Sequence, residues 1–176
     1  ERIRYVIDSR TRVEQRIAEL AVQDATWQQR NREAQGEIEA IAAKLLVDNQ
    51  LEYDAKDICV TAGAKMACYN AILAVVEEGD EVIIPSPYWV SYPEMVRLAG
   101  GVPVIVETME STGWKMTAEQ FETAMTPATK MVILNSPANP TGAVYTEQEL
   151  REIGEIAAAE DIVILSDEIY EKLIYG

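Results

Sequence analysis

Residues 58–84 form the most informative stretch of this sequence, ICVTAGAKMACYNAILAVVEEGDEVII. It begins with a short run rich in β-branched residues and passes through a small glycine-containing turn. Helical spacing follows over Lys65–Val76. After a turn at Gly79-Asp80, a second apolar run occupies Glu81–Ile84. A strand, a helix and a second strand in this order predict a right-handed βαβ unit with parallel strands.

The same alternation of strand and helix continues to residue 165. Most of the strand-like runs are continuously apolar, which is typical of strands covered on both faces. The predicted strands are Ile58–Thr61, Glu81–Ile84, Val102–Val106, Met131–Leu134 and Ile162–Leu165, and the predicted helices are Lys65–Val76, Pro93–Ala99, Ala118–Ala124 and Glu147–Ala159. The pattern predicts a three-layer α/β/α domain around a mostly parallel sheet of at least five strands.

The segment before this pattern has a different character. Residues 1–35 contain neither proline nor glycine. Apolar residues from Ile3 to Leu45 recur at alternating spacings of three and four, which places them on one stripe of a helix. Asp24 interrupts the stripe and is a candidate cap for a second helix beginning near Ala25. We expect a helical hairpin or a kinked long helix that lies on the rest of the protein. A self-associating coiled coil is the alternative, which the polar interruptions disfavour.

The composition excludes several functions. The 176 residues carry 15 Lys and Arg against 30 Asp and Glu, a formal net charge of −15, so we expect no binding to nucleic acid or anionic membranes. Because the chain has no histidine, Ser–His triads and histidine-ligated zinc are excluded within it, and no metal site is expected. A secretory signal and a membrane-spanning stretch are both absent from the sequence, which predicts a soluble, cytoplasmic protein.

Four loops that follow predicted strands form the candidate site. Ligands of open parallel sheets bind beyond the carboxyl ends of the strands. The loops are Thr61-Ala62-Gly63-Ala64-Lys65, Pro87-Tyr88-Trp89-Val90-Ser91-Tyr92-Pro93, Asn135-Ser136-Pro137-Ala138-Asn139-Pro140-Thr141-Gly142 and Ser166-Asp167-Glu168-Ile169-Tyr170. Taken singly, each is also what an ordinary turn, a packed loop or a helix cap contains.

Each loop nevertheless offers chemistry for ligand binding. The glycine turn before a helix presents backbone N–H groups and a positive helix end to an anion, and Lys65 adds a full charge. The aromatic loop offers a stacking surface for a planar ligand. Prolines can aim Asn139 as a neutral hydrogen-bond donor, and Asp167 supplies a carboxylate or a helix cap.

In this order, the four motifs resemble the large domain of fold-type I pyridoxal-phosphate enzymes, in particular the bacterial aspartate aminotransferase branch. The resemblance runs from about Gly36 to the end, so it divides the chain into a helical segment, residues 1–35, outside the family and a partial large domain, residues 36–176. It implies an aminotransferase that moves an amino group between an amino acid and a 2-oxo acid. The implied cofactor is pyridoxal 5'-phosphate, and a homodimer is the expected assembly.

The resemblance implies how the first two loops bind the cofactor and the substrate. Gly63, Ala64 and Lys65 match the positions where the family holds the cofactor phosphate at a helix N-terminus. Trp89 matches the aromatic residue that stacks on the pyridine ring. In the same branch, the lysine at the position of Lys65 is linked to the distal carboxylate of an acidic substrate. The expected amino donor is therefore aspartate or glutamate.

The resemblance implies catalytic roles for the last two loops. Asn139 and Tyr170 match the pair that hydrogen-bonds the phenolic oxygen of the ring. Asp167 matches the carboxylate that pairs with the protonated ring nitrogen, which keeps the ring able to accept electrons. Asp167 and Tyr170 are therefore the implied catalytic residues.

The resemblance places one essential residue outside this sequence. The lysine to which the family attaches its cofactor lies further along than Gly176, and neither Lys65 nor Lys172 occupies its position. Two arginines, which bind the phosphate and the substrate carboxylate, also lie further along. We therefore expect a fragment or chimera of an aminotransferase that is inactive by itself. The alternative is a non-catalytic α/β scaffold that does not bind the cofactor.

Overall fold

A computed structural model describes the backbone of residues 2–175 and the side chains of residues 15–175. The chain divides between Val60 and Thr61 into two compact units. The first contains helix α1 (Arg2–Asn49) and a 3-10 turn at Ala55–Asp57. The elements of the second are α2 (Ala64–Val75), β1 (Glu81–Ser86), α3 (Ser91–Leu98), β2 (Val102–Glu107), a 3-10 turn (Glu110–Thr112), α4 (Ala118–Ala124), β3 (Thr129–Asn135), α5 (Glu147–Ala159) and β4 (Val163–Asp167).

Helix α1 is continuous, so the predicted hairpin is wrong. The carboxylate of Asp24 does not cap a second helix but accepts a hydrogen bond from Gln28 Nε2, one turn further along, at 3.0 Å. A single acidic residue does not end a helix when no proline or glycine interrupts the backbone hydrogen bonds around it. The helix also runs through the predicted domain boundary between residues 35 and 36.

The second unit is built on one parallel sheet with the strand order β2-β1-β3-β4. Ile83 of β1 is paired with Val104 of β2 on one side and with Val132 of β3 on the other. β3 in turn pairs with β4, and Asn135 at the end of β3 lies opposite Asp167 at the end of β4. The carboxyl ends of these neighbouring strands therefore lie at the same edge of the sheet.

Helices pack on both faces of the sheet, as the continuous apolar runs predicted. Side chains alternate between the faces along a strand, so each central strand contributes to two cores. The core with α2 and α3 contains Cys68, Ile72, Val76, Val82, Ile84, Tyr92, Met95, Val96, Met131 and Ile133. The core with α4 and α5 contains Ile83, Val106, Met116, Phe121, Val132, Leu134, Tyr145, Ile153, Ala157 and Ile162. The predicted α/β/α architecture with a parallel sheet is confirmed.

The predicted strand at residues 58–61 is not part of the sheet. The backbone of Ile58 is extended, with φ −110° and ψ 126°, but within residues 2–175 no strand pairs with it. Cys59 and Val60 are exposed. The β-branched and apolar residues of this segment favour an extended backbone. A strand also needs backbone hydrogen bonds to a neighbouring strand. The described part of the chain therefore has four strands, and the prediction of at least five is wrong.

Two further classes of feature are absent from the described residues. No helix in residues 2–175 combines the length and the apolar character that a membrane crossing requires. Over the same part of the chain, no three Cys, Asp or Glu side chains are grouped so as to hold a metal ion.

Candidate active site

A cleft of about 160 Å³ lies beyond the carboxyl ends of β3 and β4. The residues that line it are Ala64, Trp89, Tyr92, Asn135, Asn139, Asp167, Ile169 and Tyr170. Five of the seven predicted site residues are among them. The other two, Gly63 and Lys65, flank Ala64 at the start of α2. The predicted residues therefore lie together at the carboxyl ends of the parallel strands, where ligands of such sheets bind.

Asp167, the last residue of β4, is the buried carboxylate of the cleft, with 8% of its surface exposed. Tyr92 Oη donates a hydrogen bond to its Oδ2 at 2.5 Å, and Cys68 Sγ donates to the same oxygen at 3.7 Å. The backbone N–H of Ile169 donates to Oδ1 at 3.2 Å. All three donors are neutral, so they orient the carboxylate without cancelling its charge.

The two side-chain donors stay protonated at neutral pH. Burial and the neighbouring Asp167 carboxylate raise the pKa of the Cys68 thiol to about 11. Burial and the hydrogen bond to Asp167 also raise the pKa of Tyr92 well above its ordinary value. Sequence reasoning did not assign a role to either residue. The sequence signal that could have identified Tyr92 as a site residue is its position in the aromatic loop, three residues after Trp89.

Trp89 forms the aromatic wall of the cleft. Its ring packs edge-to-face on Tyr92, with ring centroids 5.4 Å apart and an interplanar angle of 89°. The ammonium of Lys65 lies 4.9 Å from the centroid of the Trp89 ring, within the range of a cation–π interaction. Both contacts restrict the indole, which presents a fixed surface beside Asp167.

The N-terminus of α2 borders the same cleft through Ala64. Gly63 is the N-cap residue, with φ +93°, a backbone conformation that favours glycine. No side chain caps the helix here, and the hydroxyl of Thr61 instead donates to the carbonyl oxygen of Gly63 at 2.9 Å. The Met66 N–H donates to the Gly63 carbonyl oxygen at 3.1 Å, so the amide groups that the first turn offers to an anion are those of Ala64 and Lys65, next to the Lys65 ammonium.

The loop after β3 carries Asn139 to the cleft. The backbone N–H of Asn139 donates to Asn135 Oδ1 at 2.7 Å, and Asn135 Nδ2 donates to the carbonyl oxygen of Asp167 at 2.9 Å. Tyr170, which is half-buried, lines the cleft from the segment after β4. Asn135 is a further residue of the cleft that sequence reasoning did not single out.

Comparison with known proteins identifies relatives of this chain. Residues 13–176 match the family described as aminotransferase class I and II. Over 138 residues the chain is 54% identical to an aspartate aminotransferase of Geobacillus stearothermophilus. This match covers 78% of this chain and 35% of that protein. Over the same number of residues, 138, it is 49% identical to a probable aspartate/prephenate aminotransferase of Aquifex aeolicus, and this match also covers 78% of this chain and 35% of that protein. The chain thus spans about a third of the length of these relatives.

Solved structures of aspartate aminotransferases are similar to this chain in fold. The aspartate aminotransferase from Thermus thermophilus with maleate superimposes with a TM-score of 0.77 at 47% sequence identity, covering 79% of this chain and 36% of that one. The aspartate aminotransferase from Rhizobium meliloti gives a TM-score of 0.76 at 41% identity, covering 79% and 35%.

Proposed function

The chain belongs to the aminotransferase class I and II family, and we propose that its cleft is the cofactor-ring site of an amino-acid aminotransferase. The reaction proposed for the whole protein exchanges an amino group between an amino acid and a 2-oxo acid. The observation that carries the proposal is the buried carboxylate of Asp167, which lines the cleft and accepts hydrogen bonds from neutral donors. Within residues 15–175 it forms no ion pair with a lysine or arginine.

This donor set fits a cationic ring nitrogen. A buried carboxylate without a cationic partner is costly, and a protonated nitrogen heterocycle placed against it removes that cost. Tyr92 and Cys68 both donate to Oδ2, while Oδ1 accepts only a backbone N–H among the described contacts. We infer that Asp167 binds the N–H of a pyridinium ring and keeps the proton on it.

The other groups of the cleft fit the rest of the same molecule. Trp89 presents a flat surface for the ring, and Asn139 and Tyr170 present neutral polar groups for its phenolic oxygen. The amide groups at the start of α2 would hold the phosphate. Pyridoxal 5'-phosphate, when bound, supplies a ring that withdraws electrons from the α-carbon of the substrate.

The phosphorylated ring can be tested without any covalent attachment. Pyridoxine 5'-phosphate lacks the aldehyde of the cofactor, so its affinity reports only the contacts that these loops make. We expect calorimetry to show saturable binding to one site per chain. Trp89→Ala should weaken this binding about threefold to tenfold, because an aromatic contact of this kind contributes about 0.5–1.5 kcal/mol.

Trp27→Phe is the matched control, because Trp27 is an exposed tryptophan of α1 and has no part in the four loops assigned to the ring. Its affinity for pyridoxine 5'-phosphate should equal that of the unmodified chain. If the unmodified chain does not bind pyridoxine 5'-phosphate, the proposed function is wrong for this cleft.

For the substrate, we propose an acidic amino donor such as aspartate or glutamate. The relatives named above are aspartate aminotransferases, and Lys65 places a positive charge against Trp89 in an otherwise strongly acidic chain. A dicarboxylate should therefore bind through Lys65. With pyridoxine 5'-phosphate present, we expect Lys65→Met to weaken the binding of maleate about fivefold, since an exposed ion pair contributes up to about 1 kcal/mol.

Lys130→Met removes an exposed lysine near the opposite end of β3 and serves as the control. Benzoate, a monocarboxylate, should bind Lys65→Met no more weakly than it binds the unmodified chain. Equal loss of maleate and benzoate binding would show that Lys65 is not selective for a second carboxylate.

A further inference from the structure

Asn135 occupies the point where the two polar sides of the cleft meet. It is the last residue of β3, it is half-buried, and its side chain lines the cleft. Its Nδ2 donates to the carbonyl oxygen of Asp167 at 2.9 Å, and its Oδ1 accepts from the backbone N–H of Asn139 at 2.7 Å. One side-chain amide thus joins the end of β4 to the loop that carries Asn139.

The polarity of these two hydrogen bonds requires an amide. The Asp167 carbonyl needs a donor, and the Asn139 N–H needs an acceptor, so only one orientation of the Asn135 amide satisfies both. Aspartate at this position would retain the acceptor but would place an ionised oxygen against a carbonyl oxygen. Alanine would remove both hydrogen bonds.

Other hydrogen bonds around Asn135 do not depend on its side chain. The Asp167 carbonyl also accepts from the backbone N–H of Ser136 at 3.2 Å, so β3 and β4 remain joined. The Asn139 loop keeps its own turn, because Ala138 N–H donates to Ala143 O at 2.9 Å and Gly142 N–H donates to Ala138 O at 2.7 Å. Loss of the Asn135 amide therefore frees the position of the loop but leaves its internal turn in place.

We propose that Asn135 is a positioning residue, which fixes Asn139 relative to Asp167 so that the two residues reach opposite edges of one ligand ring. This inference rests on the proposed function, which assigns the ring nitrogen to Asp167 and the phenolic oxygen to Asn139. The side chain of Asn135 acts through the backbone of both residues and is not itself a catalytic group.

The first test needs no ligand. We expect Asn135→Ala to accelerate hydrogen exchange at the Asn139 amide about fivefold, since a hydrogen bond to that amide contributes about 1 kcal/mol. Ser136→Ala is the matched control, because the neighbouring Ser136 hydroxyl accepts from the Tyr145 backbone N–H at 3.1 Å and does not line the cleft. Unchanged exchange at Asn139 in Asn135→Ala would overturn the proposal, whatever the chain binds.

The second test is a double-mutant cycle on the affinity for pyridoxine 5'-phosphate. Asn135→Ala should weaken binding about tenfold in the unmodified chain and at most about twofold in the Asn139→Ala background, because it acts through Asn139. Equal effects in both backgrounds would mean that Asn135 supports only the general structure, which overturns the proposal. Failure of the unmodified chain to bind would contradict the proposed function, and the exchange result would then decide the role of Asn135.

Discussion

Replacement of Asp167 by asparagine is expected to weaken the affinity for pyridoxine 5'-phosphate by about 100-fold, because removing one partner of a buried charge pair costs about 3 kcal/mol or more. The amide keeps the shape of the side chain, and its oxygen still accepts a hydrogen bond from Tyr92, but its NH2 group replaces the Oδ1 that accepts from the Ile169 N–H. It carries no charge to hold a proton on the ring nitrogen. The loss should therefore be much larger in binding than in folding.

Calorimetric titration and thermal unfolding together measure this separation. Asp161→Asn is the control, since Asp161 is an exposed carboxylate shortly before β4, with a φ of +55° that asparagine also tolerates. Its affinity and melting temperature should match those of the unmodified chain. Tight binding by Asp167→Asn would contradict the role that we assign to the carboxylate.

Replacement of Phe121 by alanine is expected to lower the free energy of unfolding by about 3–5 kcal/mol, the range for a large aromatic side chain lost from a packed core. Phe121 of α4 has no exposed surface and packs with Ile83, Val132 and Ile153 beneath the sheet. The cavity would lie between α4, α5 and the sheet. β3, which lines this cavity, also ends at the cleft.

Urea denaturation followed by circular dichroism measures this loss. Leu98→Ala is the control, because Leu98 is 72% exposed at the end of α3, and such surface changes usually stay within about 0.5 kcal/mol. If Phe121→Ala lowers the free energy of unfolding by less than about 1 kcal/mol, the core with α4 and α5 packs less tightly than the burial of Phe121 indicates.

Much of the second unit was predictable because its signals are local. The continuous apolar runs at Glu81–Ile84 and Met131–Leu134 reflect strands that are buried on both faces. The helical spacing over Glu147–Ala159 coincides with α5. The prediction for residues 58–61 failed because a strand needs a partner, and local composition carries no information on pairing. The prediction of a hairpin at Asp24 was wrong because a residue that can cap a helix does not by itself end one when the residues around it favour a helix.

The candidate site was predictable only as a set of loops. The rule that ligands bind at the carboxyl ends of parallel strands brought Trp89, Asn139 and Asp167 together. The residues that orient them, Tyr92 and Asn135, could not be found in this way. Tyr92 lies 75 residues from Asp167 in the sequence and Asn135 lies 32 residues from it, so their hydrogen bonds exist only in the folded chain.

The Asp167 carboxylate, in the function that we propose, holds a proton on the nitrogen of a bound pyridine ring. The most direct measurement is the 15N chemical shift of pyridoxine 5'-phosphate labelled at the ring nitrogen, bound to the chain at a pH at which the free ligand is unprotonated there. We predict the shift of a protonated pyridinium in the unmodified chain and that of a neutral pyridine in Asp167→Asn. A neutral shift for the ligand bound to the unmodified chain would show that Asp167 does not have this role.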